Sequence, residues 1–505
     1  MKLKRTPSIT TALVALFTFT AGVAYSQGFT RVEDIIDLPR IATNGVPLTL
    51  TGTVKPENAT LQEIIWTVKD QGNTGAKISD NILSITNTGK VILAATIIGG
   101  LVTNFSAGAV HTAAIREDGS LWTWGDNWVY QLGLGPFSDD YYDTPYFVST
   151  GWATVSAGGY WEGTEEDFWY PDYHYYYMIG LKTNGTLWAW GDNQDGQLGN
   201  GSNSIISIHA PVPIGTNDNW AAVSAHTHTI ALQTDGSLWA WGDNRDGQLG
   251  ISPWVARTNE PVRVGLSNDW AIVTAGFSCT MAIKTNGTLW AWGNNLAGQL
   301  GISPWVAKTN QPVQVGKDDN WFAVAPGFQH TVALQTNGTL WAWGNNYCGA
   351  FGDGTLTSTN APIQIGEDTD WVAVAAGGDG NFDSLHIGDI RNYTLALKKD
   401  GTLWAWGDNR YGQLGISPWV ASTNLPAQVG TDTNWVDIST TSVFVMARKT
   451  DGSLWAWGGN YEGQIGDGTT INRLSPVRVH DLGDSTFTTN FPVRVINRPT
   501  VLGFK

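Results

Sequence analysis

The stretch DGSLWAWGDNRDGQLG, residues 235–250, decides the fold. It is a polar glycine turn, then Leu-Trp-x-Trp-Gly, then an Asn-containing loop, and the chain carries this unit seven times. The first Trp of each copy falls at Trp122, Trp188, Trp239, Trp290, Trp341, Trp404 and Trp455. Four of the six steps between them are 51 residues; the other two are 66 and 63. A period of this size marks a repeat architecture, in which one unit buries its apolar face only against its neighbours.

Each unit reads as four strands. The first ends in Ala-Gly or a close variant ("WAAVSA", "WAIVTAG", "WVAVAAG"), and the second alternates small and large apolar residues ("TIALQT", "TMAIKT", "TLALKK"). An Asp-Gly or Asn-Gly turn follows, for which a primed turn with positive φ at both central residues is expected. Leu-Trp-x-Trp is the third strand. A long Gly/Asn loop leads to the fourth ("PVPIG", "PVRVG", "PIQIG"), whose initial Pro suits an edge. Four antiparallel strands in each of seven units predict an all-β chain: a seven-bladed β-propeller over residues 102–480. Of the 27 Trp, 14 lie in the Leu-Trp-x-Trp strands. Six more (Trp152, Trp220, Trp270, Trp321, Trp371, Trp435) open the first strand of repeats two to seven.

The pattern AGxxHTxAL…DGxLWxWGxNxxGQLG, present as "SAGAVHTAAIREDGSLWTWGDN" from Ser106 and "PGFQHTVALQTNGTLWAWGNN" from Pro326, resembles the repeat of the regulator of chromosome condensation family. The resemblance covers about three quarters of the chain, and it implies the propeller. It does not imply nucleotide exchange on a nuclear GTPase or histone binding, because fold does not carry function. A secreted bacterial inhibitor of β-lactamases, which binds a protein through its propeller face, looks like a closer functional relative.

The flanks read differently. Lys2, Lys4 and Arg5 precede an apolar stretch from about Ile9 to Val23, with Ala24 and Ser26 at a cleavage site. Residues 1–26 are therefore expected to be a secretory signal peptide, and the mature chain periplasmic or secreted. Its removal makes the formal net charge, −16 for the whole chain, three units more negative. Such a surface repels nucleic acid and anionic lipid, so neither nucleic acid nor membrane insertion is expected. Residues 27–101 alternate in polarity like a small β-sandwich, and resemble a bacterial Ig-like domain with Trp66 at its core. Residues 481–505 are a tail that adds a strand, caps the ring or docks elsewhere. The two cysteines, Cys279 and Cys348, occupy unequal positions in different repeats, which argues against a disulfide.

Several features suggest chemistry. The position held by His111, Tyr177, His228, Cys279, His330, Tyr393 and Phe444 includes residues unfit for zinc, so these side chains are expected to fill space. The Asp-Asn or Asn-Asn pairs after each Trp-x-Trp lack the carboxylate spacing of a calcium loop and read as turn caps. Asp379, Asn381 and Asp383 match the start of such a loop, but Ser384 and Ile390 break it. No Gly-x-Ser-x-Gly, His-Glu-x-x-His or phosphate loop occurs. Glu162, Glu165, Glu166 and Asp167, the carboxylates a glycoside-type hydrolase would draw on, crowd one loop with no fixed partner opposite. A non-enzyme without cofactors is expected.

Departures from the repeat point to a binding face. Two units are lengthened between their first and second strands, at 160–177 and 379–392. The first insertion holds Tyr160, Trp161, Phe168, Trp169, Tyr170 and Tyr173 among acidic residues. The topology sets both insertions on the face of the third–fourth loops, with "ISPWVA" (Trp254, Trp305, Trp419) and "SDDYYDTPYF" (138–147). Exposed aromatics on a rigid scaffold make binding hot spots. For Ile-Ser-Pro-Trp the expectation is that each loop folds over its blade with its Trp plugging a gap; if exposed instead, the three Trp join the insertion as partner-binding candidates. The expected role is a protein-interaction scaffold, with a surface glycan as the alternative partner.

Overall fold

The computed structural model describes residues 34–43, 46–55, 65–79, 81–97, 101–136, 138–160, 175–202, 206–379, 390–416, 420–480, 482 and 487–496. Seven four-stranded antiparallel sheets follow one another from Val102: blades 1 (102–149), 2 (152–213), 3 (220–263), 4 (270–314), 5 (321–365), 6 (371–428) and 7 (435–478). Within each, sequence order is spatial order. Blade 3 shows the plan, with strands Trp220–Ala225, His228–Gln233, Leu238–Asp243 and Arg257–Arg263.

Each blade buries its faces against its two neighbours, and seven separate apolar clusters fill seven joints. The joint between blades 7 and 1 has its own, in which Phe444, Met446 and Ile465 meet Phe105, Trp122 and Trp124. The second Trp of each pair is the keystone. Trp241 Nε1 donates to the Gln197 carbonyl of blade 2 (2.9 Å), Trp292 to Gln248 of blade 3 (2.9 Å), and Trp124 to Gln464 of blade 7 (2.9 Å). Blade 1 therefore docks on blade 7 as every blade docks on its predecessor, and the ring is closed.

These contacts explain the Gln-Leu-Gly tail of the repeat. The Gln backbone carbonyl takes the indole proton while its side chain holds the loop, Gln248 Oε1 accepting the Asp246 N–H and Nε2 donating to Asp243; the Leu is wholly buried, and the Gly makes room for the incoming ring. Gly250 has a φ of 69°, and a Cβ there would lie 2.8 Å from Trp292 Nε1, so a side chain is excluded twice over.

Three local expectations are corrected. In the second–third hairpin only the glycine is left-handed: Gly236 has a φ of 78°, whereas Asp235 is not among the residues with positive φ. Gln233 N bonds Ser237 O, so the loop has three residues, a type I turn closed by a left-handed glycine rather than a primed turn. Asp235 Oδ1 accepts the Ser237 N–H (2.9 Å) and caps it. The fourth strand also starts before its Pro: Pro261 lies inside Arg257–Arg263, where the register shifts opposite Trp241 and no ladder bond is needed. Likewise "SDDYYDTPYF" is mostly not loop, since Tyr141–Ser149 is the fourth strand of blade 1.

Ahead of the ring, one sheet runs Ile41–Thr43, Phe487–Ile496, Gly89–Ile97, Ile65–Asp70, and a second runs Leu48–Thr49, Ile82–Ser84, Lys77–Ser79. Trp66, Val91, Leu93 and Val493 share one core with Leu50, Leu83 and Ile85. The tail thus supplies a strand to this module.

Candidate interaction face

The described stems of both insertions meet third–fourth loops, which places them on one face. Tyr160 stacks on Tyr175 (4.7 Å, 4° between planes), contacts Phe277 and accepts from Arg245 Nη2 (3.1 Å) in the third–fourth loop of blade 3. In blade 6, Arg391 lies over the Tyr411 ring (5.2 Å), while Arg410 and the Cys348 thiol both reach the Ile390 carbonyl. The opposite face carries the second–third hairpins and the links between blades: Asn268 Nδ2 donates to Asp235 (3.2 Å).

Trp254 and Trp305 are each 92 % exposed, which overturns the gap-filling expectation. The loop backbone is nonetheless fixed. Asn244 Nδ2 donates to the Val255 carbonyl (2.6 Å) and its Oδ1 accepts the Leu249 N–H (3.0 Å); Asn295 does the same with Val306 (2.7 Å) and Leu300 (3.0 Å). In these two repeats the Asn thus ties the loop down while Trp254 and Trp305 project outward. Such preorganised aromatics lose little entropy on binding.

Tyr160 is a correction of another kind: at 9 % exposure it closes the stem and presents no free surface. Trp161, Phe168, Trp169, Tyr170, Tyr173 and Trp419 lie outside the described residues, as do Asn381 and Asp383. Asp379 is engaged by Arg391 (3.2 Å) and Ser442, and burial, opposed by Arg391, raises its pKa. Sequence reasoning missed Arg245, Leu296, Tyr347 and Tyr461, exposed on this face at the position after the repeat Asn. The signal was available: that position varies from copy to copy amid fixed neighbours.

The turn reading of the Asp-Asn pairs agrees with the geometry. Asp192 accepts from Gln197 Nε2 (2.6 Å), Asp243 from Gln248 (2.8 Å) and Asp408 from Gln413 (2.7 Å), all within their own loops. Burial pushes Asp192 up to about 7. Among the described residues no three His, Cys, Asp or Glu side chains come together to hold a metal ion. Both cysteines are free thiols.

The histidine position instead ties blade to blade. His228 Nε2 pairs with Thr280 Oγ1 (2.7 Å), His330 with Thr394 (3.0 Å), and the Tyr177 hydroxyl with Thr229 (3.0 Å), each one blade onward. Burial, reinforced by His226, holds His228 at about 3 against an ordinary 6.5. With the folded pKa depressed, the unfolded chain binds more protons as pH falls; the stability is intact above about pH 6.5 and declines towards 3. Between pH 7 and 5 this one residue is expected to remove about 2 kcal/mol. His228→Gln should abolish that increment, read as the difference in unfolding free energy between the two pH values in variant and parent. Asp192 and Glu462, both raised to about 7 by burial, act with opposite sign over this interval, so only the variant-minus-parent difference isolates His228.

These sheets and loops define a closed all-β propeller with one loop-elaborated face. The chain belongs to the regulator of chromosome condensation (RCC1) repeat family: the family model matches residues 184–232, 235–283, 286–334, 337–382, 400–447 and 451–495, and a second model of the repeat matches 102–130, 270–299, 323–350 and 371–413. It is 27 % identical over 385 residues to the ultraviolet-B receptor UVR8 of Arabidopsis thaliana, covering 74 % of this chain and 80 % of that protein. It is 30 % identical over 243 residues to the probable E3 ubiquitin-protein ligase HERC6 of Homo sapiens, 47 % of this chain but only 23 % of that protein. Among solved structures, Prp20p of Saccharomyces cerevisiae, described with its binding properties to Gsp1p and histones, superposes with a TM-score of 0.59 at 19 % identity over 76 % of this chain and 88 % of its own.

Proposed function

We propose that this chain is an exported, non-catalytic scaffold that binds a partner protein through the loop-elaborated face of its propeller. The observation that carries the reading is the pair of Trp254 and Trp305, almost wholly exposed on loops that are themselves pinned. The basic N-terminus followed by an apolar stretch supports export, and the protein binding described for Prp20p supports the type of partner. The stem of the aromatic insertion, Tyr160 stacked on Tyr175, stands on the same face. The test is capture of partners by the chain beginning at Gln27, against a variant with Trp161, Trp169 and Tyr173 changed to Ala. Loss of a partner the parent retains is the expected result; unchanged capture by a folded variant removes the insertion from the site. The same flat Trp faces suit a sugar ring. A glycan array with parent and Trp254→Ala proteins separates that reading from the first.

A further inference from the structure

Segments that flank the ring on either side in sequence meet in one sheet. Strand Phe487–Ile496 pairs antiparallel with Gly89–Ile97, from Phe487 opposite Ile97 to Val495 opposite Gly89, and parallel with Ile41–Thr43 over Arg494 to Ile496. It is an inner strand of that sheet. Val493 is wholly buried beside Trp66, Leu93 and Ala42. Pro492, which cannot donate to a ladder, falls beyond the reach of the short strand Ile41–Thr43, where Phe487–Ile496 has a single neighbour.

Blade 1 carries a matching adaptation. In the other six blades the first strand opens with Trp and the second ends in Lys or Gln. Lys182, Lys284, Lys398 and Lys449 each set Nζ over that Trp ring, at 4.9, 4.7, 4.7 and 4.5 Å. Blade 1 has Val102 in place of the Trp and Arg116 in place of the Lys. Arg116 is buried and donates Nη1 to the Leu482 carbonyl (2.9 Å), and the Leu482 side chain enters the blade 7–blade 1 core with Val102 and Phe105.

We propose that the N-terminal module is a β-strand-binding slot whose ligand is the chain's own C-terminal segment, and that Arg116 and Leu482 guide this segment to it as a clasp across the closing joint. The need is topological. Blades 1 and 7 each draw all four strands from one contiguous stretch, so no strand is shared between them. Every other joint is crossed by the chain itself; this one is not. Joining the ends through a sheet ties the seventh joint and reduces the chain entropy gained when it opens.

The test uses the full-length chain with a protease site inserted between Leu482 and Phe487, cleaved after folding and passed over a sizing column in native buffer. The released segment is expected to co-elute with the ring and to leave only on denaturation, whereas with Val493→Asp it separates. Elution of the parental segment alone from a folded ring, or equal retention of the Val493→Asp segment, overturns the slot. Hydrogen exchange tests the clasp. The Ala107 amide bonds Ser439 Oγ across the 7–1 joint, and the Ala275 amide bonds Ser224 Oγ across the 3–4 joint, both at 3.0 Å. After release of the Val493→Asp segment, and likewise in the uncut Arg116→Ala chain, Ala107 should exchange at least about tenfold faster and Ala275 unchanged. No selective change at Ala107 overturns the clasp.

Discussion

Trp292→Ala is expected to lower the unfolding free energy by about 3–5 kcal/mol, the range for emptying a well-packed aromatic site. The ring is wholly buried between blades 3 and 4, against Leu249, Val264 and Trp270. Its Nε1 proton goes to the Gln248 carbonyl, which also accepts from Thr280 Oγ1 (2.7 Å). Alanine therefore opens a cavity and leaves that carbonyl with one protein donor instead of two. Trp292→Phe should lose less, about 1–2 kcal/mol for the missing hydrogen bond and the smaller ring. Urea unfolding of the three proteins, followed by far-ultraviolet circular dichroism, checks the order. Equal midpoints for parent and Trp292→Ala would mean that blade-to-blade packing contributes little to stability.

The second large effect concerns binding, and it should leave stability alone. Trp254→Ala with Trp305→Ala removes two side chains that touch almost nothing in the free protein, so unfolding should shift by no more than about 0.5 kcal/mol. Partner affinity is expected to fall at least about tenfold, the level that marks anchor residues in interfaces. Asn244 and Asn295 hold the loops independently of the Trp, so the change is confined to the contact surface. Calorimetric titration of a captured partner into parent and double variant gives the ratio.

The ring was readable in the sequence because its joints are made by residues that cannot be exchanged. The indole and the glycine beneath it recur at the same spacing in every copy, while the acceptor is a backbone carbonyl that any residue supplies, Gln197 for Trp241 and Ala350 for Trp406. The turn type was misread because Asp-Gly suits two hairpins, and only the backbone distinguishes a lone left-handed Gly236 from a primed pair. Burial of Tyr160 depends on Arg245, a residue 85 positions away, which local pattern does not disclose. Exposure of Trp254 was missed for the opposite reason: identical loops suggested identical packing, whereas the shared element is the Asn that pins the backbone. The clasp had a visible trace, since Val102 is the one first-strand opening without a Trp.

Hydroxyl-radical footprinting of the protein with and without its partner shows which face of the ring the partner covers. Trp254 and Trp305 mark the loop-elaborated face, and Leu266, 89 % exposed in a link between blades, marks the opposite one. On the present account the partner slows oxidation of both Trp several-fold and leaves Leu266 at its free rate. Protection of Leu266 with both Trp unchanged would put the contact on the wrong side of the ring and contradict the account.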